Sequence, residues 1–202
     1  VGATVFYAPP VITSPLDGAA SLTDLVGAMN AGSVDLLLII GGNPVFTGPV
    51  DLNFSAALAK VGTSVHLGLY HDETADLCHW HLPEAHYLES WGDARSFDGI
   101  VSLMQPLIAP LYNGRQAIEI FAAANGQPGL TPAELVKDHW TRAFQGKTKT
   151  PWTLHDRDGK PYASADQAWR HSLHDGFIAS TANFDWDPPS PSASARQAPP
   201  SP

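Results

Sequence analysis

Hydrophobic positions in the first half of the chain form unbroken runs that predict strands. Residues 34–40 are apolar apart from Asp35, and an apolar run without alternation is typical of a parallel-sheet strand that is covered on both faces. This run ends in Gly41-Gly42-Asn43-Pro44, a sequence that predicts a tight glycine turn. Shorter runs at residues 64–69 and 78–82 predict a second and a third strand.

Helical spacing of apolar residues separates these runs. A capping box that begins at Ser21 predicts the start of a first helix, whose apolar face consists of Leu22, Leu25, Val26 and Met29. A second helix is predicted at residues 52–61 and a short acidic one at residues 72–77. Strands that alternate with helices predict right-handed βαβ crossovers. We therefore expect an α/β fold with a mostly parallel, doubly wound sheet that is flanked by helices.

The second half of the chain has clearer helix signals than strand signals. Residues 87–99 show no regular pattern and are predicted to be irregular, and residues 100–104 predict one strand. Helices are predicted at residues 115–124, after the capping box at Thr131, and from a capping box at Ser164 to Gly176.

These patterns predict three regions. Residues 1–146, which begin with a short predicted strand at residues 5–7, form the α/β region. Residues 147–183 form a linker and a C-terminal helix. Residues 184–202 are rich in Pro and Ser and have too few apolar residues to offset the entropy of ordering, which predicts a disordered tail.

Composition excludes several function classes. The formal net charge is −9 and the 11 basic residues are scattered, which argues against nucleic-acid binding. No apolar run reaches the roughly 18–20 residues that a membrane span needs. The single cysteine excludes an intrachain disulfide and a four-cysteine iron–sulfur cluster within this chain. A charged fraction of 15% is low, which suggests a surface partly covered by other protein.

The chain begins at Val1 rather than Met and shows no signal-peptide pattern. We therefore expect it to be a fragment or a processed piece of a longer protein. Any targeting segment would then lie upstream of Val1.

The glycine turn is a candidate phosphate cradle. Gly41 and Gly42 would let the backbone approach an anion, and a following helix N-terminus would add its dipole. The turn lacks the G-x-G-x-x-G spacing and the Walker lysine, however. A tight turn at the carboxyl edge of a sheet is the favoured interpretation.

The segment after the second strand is a candidate metal site. In a strand, His79 and His81 would lie on one face and could share an ion. The further candidate ligands are Cys78, His86, Asp72, Glu73, Glu84 and Glu89. The spacing matches no known zinc motif, and Cys78 would point away from both histidines. Histidines that form hydrogen bonds at a sheet edge are the favoured interpretation.

Three short motifs resemble the molybdopterin oxidoreductase family. They are Ile40-Gly41-Gly42-Asn43-Pro44, His71-Asp72-Glu73-Thr74-Ala75, and Leu82-Pro83 with the nearby Glu89. The longer block from Cys78 to Arg95 resembles one branch of that family more closely. This branch is the molybdopterin-like domain of the large iron–sulfur subunit of alternative complex III, a bacterial quinol-oxidising respiratory assembly.

The resemblance implies that the chain is part of a larger molybdopterin-oxidoreductase-like domain without a cofactor of its own. Iron–sulfur clusters are then expected only in parts of the protein outside this sequence. The implied partners are other subunits of a membrane respiratory complex, on the extracytoplasmic (periplasmic) face of a bacterial membrane. Bulky residues are expected to fill the space that faces a pterin nucleotide in catalytic members, namely His79, Trp80 and His81 with Trp91-Gly92-Asp93. The chain alone is then not catalytic.

Two alternatives stay open. In the first, the chain is a fragment of a catalytic enzyme that binds molybdopterin guanine dinucleotide, with contacts from Gly41, Gly42, Asn43, Asp72 and Thr74. In the second, the chain is a metal-binding module that uses His79, His81 and His86.

Overall fold

The computed structural model describes residues 18–147, 155–156 and 158–182. The strand predicted at residues 5–7 and the tail predicted at residues 184–202 lie outside the described residues. No helix in the described ranges is long and apolar enough to cross a membrane.

The first half of the described chain alternates helices with parallel strands. The strands form one three-stranded sheet in the order β1-β2-β3, and both neighbouring pairs are parallel. This confirms the predicted α/β class, with a parallel sheet flanked by helices. The elements are α1 (Gly18–Asn30), β1 (Leu36–Ile40), α2 (Pro44–Thr47), a 3-10 turn (Val50–Leu52), α3 (Phe54–Leu58), β2 (Thr63–Gly68), α4 (Glu73–Leu77) and β3 (Trp80–Pro83).

The first core lies between the helices and β1. Side chains of α1 and α3 pack together with partly buried residues of β1; the buried set is Val26, Met29, Phe54, Ala57, Leu58 and Val61. Removal of this apolar surface from water stabilises the layer by about 25 cal/mol per Å². The sequence correctly placed Val26 and Met29 on the buried face of α1.

The expectation that the first strand is covered on both faces is wrong. Leu36 is 65% exposed, and the rest of β1 is half-buried, because β1 pairs only with β2 in the described sheet. The central strand is β2, where Ser64, His66 and Leu67 are buried. Position in the sheet, rather than the apolarity of the run, decides burial.

Several boundaries also differ from the sequence prediction. Helix α1 begins at Gly18, so Ser21 lies inside the helix and does not cap it. The helix predicted at residues 52–61 is shorter, because Asn53 adopts a left-handed conformation (φ 46°) between the 3-10 turn and α3. The third strand begins at Trp80, because Cys78 ends α4 through a backbone bond to the carbonyl of Thr74.

A second sheet, which the sequence did not predict, follows the first. It is antiparallel, with the order β4-β5-β6. Its strands are β4 (Gly92–Arg95), β5 (Val101–Met104) and β6 (Phe177–Ile178), and the accompanying helices are α5 (Ala117–Ala124), α6 (Pro132–Phe144) and α7 (Ala165–Asp175).

The prediction that residues 87–99 are irregular is wrong, because this segment contains a 3-10 turn (Tyr87–Glu89) and β4. Gly, Asp, Ala and Arg are poor strand formers, so only pairing with β5 reveals β4.

A second core joins this sheet to its helices. Trp140 of α6 is 5% exposed, and its indole Nε1 donates to a carboxylate oxygen of Asp93 at 3.1 Å. Burial of a tryptophan N–H requires such a partner. The core consists of Val101, Leu103, Val136, Trp140, Ala143, Ala168 and Ile178.

The capping signals in this half match the structure. Thr131 and Glu134 form a reciprocal capping box, and Ser164 caps α7. Gly176 ends α7 in a left-handed conformation. Helix α7 contacts α6, and β6 pairs with β5, so residues on both sides of the proposed boundary at 146/147 belong to one packed layer. The boundary itself stays a prediction.

Candidate functional site at the carboxyl edge of the parallel sheet

The strand ends of the parallel sheet place three loops along one edge. Gly41 and Gly42 follow β1 with φ angles of 61° and 71°, a region that glycine adopts without steric cost. A Cβ atom at either position would meet no atom within 4 Å, so conformation rather than space calls for glycine. The amide of Gly41 donates to the carbonyl of Leu67 at 2.7 Å, which ties the turn to β2.

Asn43 connects the glycine turn to α4. Its side-chain oxygen accepts from the hydroxyl of Thr74 at 2.7 Å and from the amide of Phe46 at 3.3 Å. Its side-chain nitrogen donates to the carboxylate of Glu73 at 2.6 Å, a bond that lowers the pKa of Glu73. The polar atoms of the Asn43 side chain are therefore bonded to protein groups.

Thr74 and Asp72 hold the start of α4. The buried Thr74 hydroxyl also accepts from the amide of Val45 at 3.1 Å. One carboxylate oxygen of Asp72 accepts from the amides of Thr74 at 3.1 Å and Ala75 at 2.9 Å, which is ordinary N-cap geometry. These two residues were predicted as pterin contacts; here both stabilise the helix start.

Three histidines meet beside the turn. His66 of β2 is 1% exposed, and its Nε2 lies 3.2 Å from the carbonyl oxygen of Gly42. Its Nδ1 lies 3.1 Å from Nδ1 of His81 on β3 and 4.0 Å from a carboxylate oxygen of Asp72. The ring of His71 contacts His81 edge-on, with the ring centroids 5.2 Å apart.

The partners determine the tautomers of the His66–His81 pair. A carbonyl oxygen only accepts, so Nε2 of His66 carries a proton. In the neutral pair, Nδ1 of His66 is therefore the acceptor and Nδ1–H of His81 the donor. Burial, with added effects of His66 and His71, lowers the pKa of His81, although Asp72 acts in the opposite direction.

A cleft of about 460 Å³ opens between the two sheets beside this edge. Glu84 follows β3 and lines the cleft, and burial raises the pKa of its carboxyl group, with a smaller opposing effect of His66. Leu69, Tyr87 and Trp91 also line the cleft. It is therefore a largely apolar cleft that contains a half-buried carboxyl group.

The structure separates the three histidines predicted as metal ligands. His79 lies at the other end of β2, where its Nδ1 accepts from the amide of Ser64 at 3.0 Å. His86 caps the 3-10 turn by accepting from the amide of Leu88 at 3.3 Å, and only His81 lies at the carboxyl edge. In the described ranges, no group of three or more His, Cys, Asp or Glu residues is placed to hold a metal ion. The metal-binding alternative therefore has no geometric support.

The proposed plug residues also separate. Trp80 is 64% exposed on β3, whereas Trp91 lines the cleft and stacks with Trp169 at 6.5 Å. Asp93 is exposed at the rim of the cleft and accepts from the indole N–H of Trp140. Of His79, Trp80 and His81, only His81 is linked to the glycine turn. The link is indirect: His81 bonds His66, and His66 bonds the Gly42 carbonyl.

Cys78 has the surroundings of a structural residue. It packs against the first core, and burial raises the pKa of its thiol. A raised thiol pKa opposes formation of the reactive thiolate.

Sequence reasoning missed His66. The available signal was a histidine between apolar neighbours in a predicted strand, Val65-His66-Leu67. A buried polar side chain needs a partner, but the sequence did not show that the partner is His81, fifteen residues further along.

The sequence profile of the molybdopterin oxidoreductase family matches residues 14–124. This match covers more than half of the 202 residues, and the chain belongs to the molybdopterin oxidoreductase family.

Two proteins with similarity to parts of this chain are a curated relative and a solved structure. The chain is 33% identical over 126 residues to the menaquinone reductase molybdopterin-binding-like subunit of Nitratidesulfovibrio vulgaris. That match covers 60% of this chain but 17% of the relative. Among solved structures, acetylene hydratase from Pelobacter acetylenicus is similar with a TM-score of 0.49 and 19% identity, over 57% of this chain and 18% of that one.

Proposed function

We propose that this chain is part of a cofactor-free, structural subunit of a membrane-associated quinol-oxidising electron-transfer complex. In this proposal the molybdopterin-like fold scaffolds neighbouring redox subunits and holds no pterin itself. The complex lies on the extracytoplasmic face of a bacterial membrane. The support is the resemblance of the Cys78–Arg95 block and the similarity to a subunit named for menaquinone reductase.

One observation carries the cofactor-free part of the proposal. The polar side chains at the carboxyl edge are bonded to one another: Asn43 to Thr74 and Glu73, and His66 to Gly42. Among the described residues, no buried side-chain nitrogen or oxygen lacks a hydrogen-bond partner. The side-chain oxygen of Asn43 and the hydroxyl of Thr74 are thus already engaged by protein groups, which supports a site that is not preformed for a pterin dinucleotide.

The catalytic alternative rests on the same edge. The structure brings Gly41, Gly42, Asn43, Asp72 and Thr74 together, and both glycines have open space beside them. Space beside a glycine turn permits a phosphate to approach. The catalytic function is the second candidate, because the side chains of Asn43 and Thr74 are already hydrogen-bonded to protein groups.

An exposed apolar surface supports the scaffolding part. Residues 87–88 and 107–112, here called the apolar ledge, are joined by a bond from the amide of Leu107 to the carbonyl of Leu88 at 2.8 Å. No charged residue occurs in either segment. The exposed side chains, between 39% and 81% accessible, are Tyr87, Leu88, Leu107, Ile108, Leu111 and Tyr112. Glu89 lies at the edge of the ledge, where its carboxylate accepts from the amide of Leu111 at 3.4 Å. Exposed apolar surface with a polar rim is typical of a protein interface. We propose that another subunit of the complex covers it.

The cofactor part is tested on the intact complex purified from its native membrane. Molybdenum and tungsten are measured by mass spectrometry, and guanine nucleotides are measured after acid release. We expect less than one tenth of an equivalent of each per copy of this subunit. A stoichiometric amount of metal and nucleotide would favour the catalytic alternative instead.

The scaffolding part is tested by site-specific photo-crosslinking. A photoreactive phenylalanine analogue replaces Tyr112 in the ledge, and Lys60, an exposed residue outside the ledge, is the control position. We expect a crosslink to a different subunit from position 112 and none from position 60. A crosslink only within the same polypeptide would show that the ledge is an internal surface.

A further inference from the structure

The geometry of His66 and His81 restricts how many protons the pair can bind. The two residues lie directly opposite each other in the parallel β2–β3 ladder. Their Nδ1 atoms are 3.1 Å apart, so one proton must lie between them for a hydrogen bond to exist. One further proton is compatible with this bond, because either ring can become the charged donor while the other ring remains the acceptor.

A second additional proton is not compatible with it. Both Nδ1 atoms would then carry hydrogen and face each other at 3.1 Å, with no acceptor between them. Two positive charges would also lie on rings whose centroids are 5.2 Å apart. His66 cannot turn toward water, because it is buried and its Nε2 bonds the Gly42 carbonyl. His81 is only partly buried and is the ring that can move away.

The other charged and titratable groups around the pair are few. Asp72, from the start of α4, lies 4.0 Å from Nδ1 of His66, and its charge acts to raise the pKa of His81. His71 contacts His81 and opposes additional charge, as does burial, and both lower the pKa of His81. Glu84, beyond β3, interacts electrostatically with His66.

We propose that the His66–His81 pair is a pH switch for the carboxyl edge of the sheet. With no or one additional proton, the pair holds the edge strand β3 to β2 and supports the Gly41–Gly42 turn through the Gly42 carbonyl. When the second additional proton binds, His81 leaves His66, and the end of β3 separates from β2, while the His66 bond to the Gly42 carbonyl remains. The switch concerns local opening of the edge and is independent of whether the subunit holds a cofactor.

The test is hydrogen exchange of the intact protein between pH 7.5 and 5, measured by mass spectrometry and corrected for intrinsic rates. The reporting peptide contains Glu84, whose amide bonds the Gly68 carbonyl at 2.9 Å across the β2–β3 edge, and the reference peptide lies in α6. Where the open form binds one proton more than the closed form, the open population rises about tenfold for each unit by which pH falls. We expect this rise in the wild type for the Glu84 peptide and not for α6.

Two variants decide the result. Gln in His81→Gln can hydrogen-bond His66 but cannot be charged, so we expect its Glu84 peptide to lose the pH dependence. His79→Gln, which alters a histidine bonded to Ser64 at the other end of the sheet, should behave as the wild type. Equal pH dependence in wild type and His81→Gln would overturn the proposal. Protection by added Zn²⁺ in the wild type and not in His81→Gln would also overturn it, because the pair would then be a metal site. If His81→Gln fails to fold, His81→Asn provides the same comparison.

Discussion

The hydroxyl of Thr74 donates a 2.7 Å hydrogen bond to the side-chain oxygen of Asn43, thirty-one positions earlier in the chain. This bond joins the turn after β1 to the helix after β2, across the edge where parallel strands end. Active-site groups of open α/β folds lie at such an edge. Here the two residues are bonded to each other, which is why the edge is interpreted as structural.

Replacement of Thr74 by Val tests how much this hydrogen bond contributes to the stability of the fold. Thr74 is fully buried, so Val would remove one of the two donors to the side-chain oxygen of Asn43 and leave the Val45 amide without its acceptor. We expect a loss of about 1–3 kcal/mol in the free energy of unfolding. Denaturant unfolding measures it, and Thr47→Val is the control, since Thr47 is exposed and bonds only the Asn43 carbonyl. If Thr47→Val lowers the free energy of unfolding as much as Thr74→Val does, the bond between Thr74 and Asn43 makes no larger contribution than an exposed one.

Alanine at Gly41 and at Gly27 should have opposite effects. Gly41 has a φ of 61°, so Ala there is expected to destabilise by about 1 kcal/mol or more through backbone strain. Gly27 is exposed within α1, and Ala there is expected to stabilise by about 0.5–1 kcal/mol. Neither new Cβ meets an atom within 4 Å, so the pair isolates conformation from packing. Thermal unfolding of both variants measures the two changes in stability. If both variants are stabilised or both destabilised, the predicted role of the Gly41 backbone conformation is wrong.

The bond between Trp140 and Asp93 should stabilise the second core. In Trp140→Phe the indole N–H is lost, and the exposed Asp93 carboxylate loses this donor. Water can reach Asp93, so we expect a cost of about 1 kcal/mol in the free energy of unfolding. Asp93→Asn keeps an oxygen that can accept, so its cost should be smaller. A larger loss for Asp93→Asn than for Trp140→Phe would show that the aspartate charge matters more than the bond.

Glu84 and Glu134 should give stability opposite dependences on pH. Burial raises the pKa of Glu84, so the folded protein prefers the protonated form, and stability is lost as pH rises through and above 4.5. Bonds from Thr131 lower the pKa of Glu134, so its contribution is present above 4.5 and is lost as pH falls. From pH 4 to pH 7, Glu84→Gln should therefore gain stability relative to wild type, and Glu134→Gln should lose it. Unfolding titrations at several pH values measure both trends, and parallel trends would contradict the assignment.

Much of the first half of the fold could be predicted from local pattern. The apolar spacing of α1, the glycine turn and the alternation of strands with helices each depend on residues close together in sequence. The capping box at Thr131 and the N-cap at Ser164 could also be predicted, because a capping residue and the amide that it bonds lie three positions apart. The full box predicted at Ser164 does not form, since the Gln167 side chain accepts from the amide of Ala163.

The antiparallel sheet and the central histidine could not be predicted in this way. Strand β6 has two residues and pairs with β5 more than seventy positions earlier, so neither its length nor its sequence carries a signal. His66 and His81 become partners only through the register of two parallel strands.

The sequence by itself determined the family, the parallel βαβ plan, the position of the glycine turn and the starts of α6 and α7. These properties depend on backbone preferences and hydrophobic spacing, which act over a few residues. Tertiary structure alone decided that β2 rather than β1 is the buried strand, and that His79, His81 and His86 have separate partners. The physical reason is that burial and side-chain pairing depend on which distant strands and helices pack together, and that information is not contained in any short stretch of sequence.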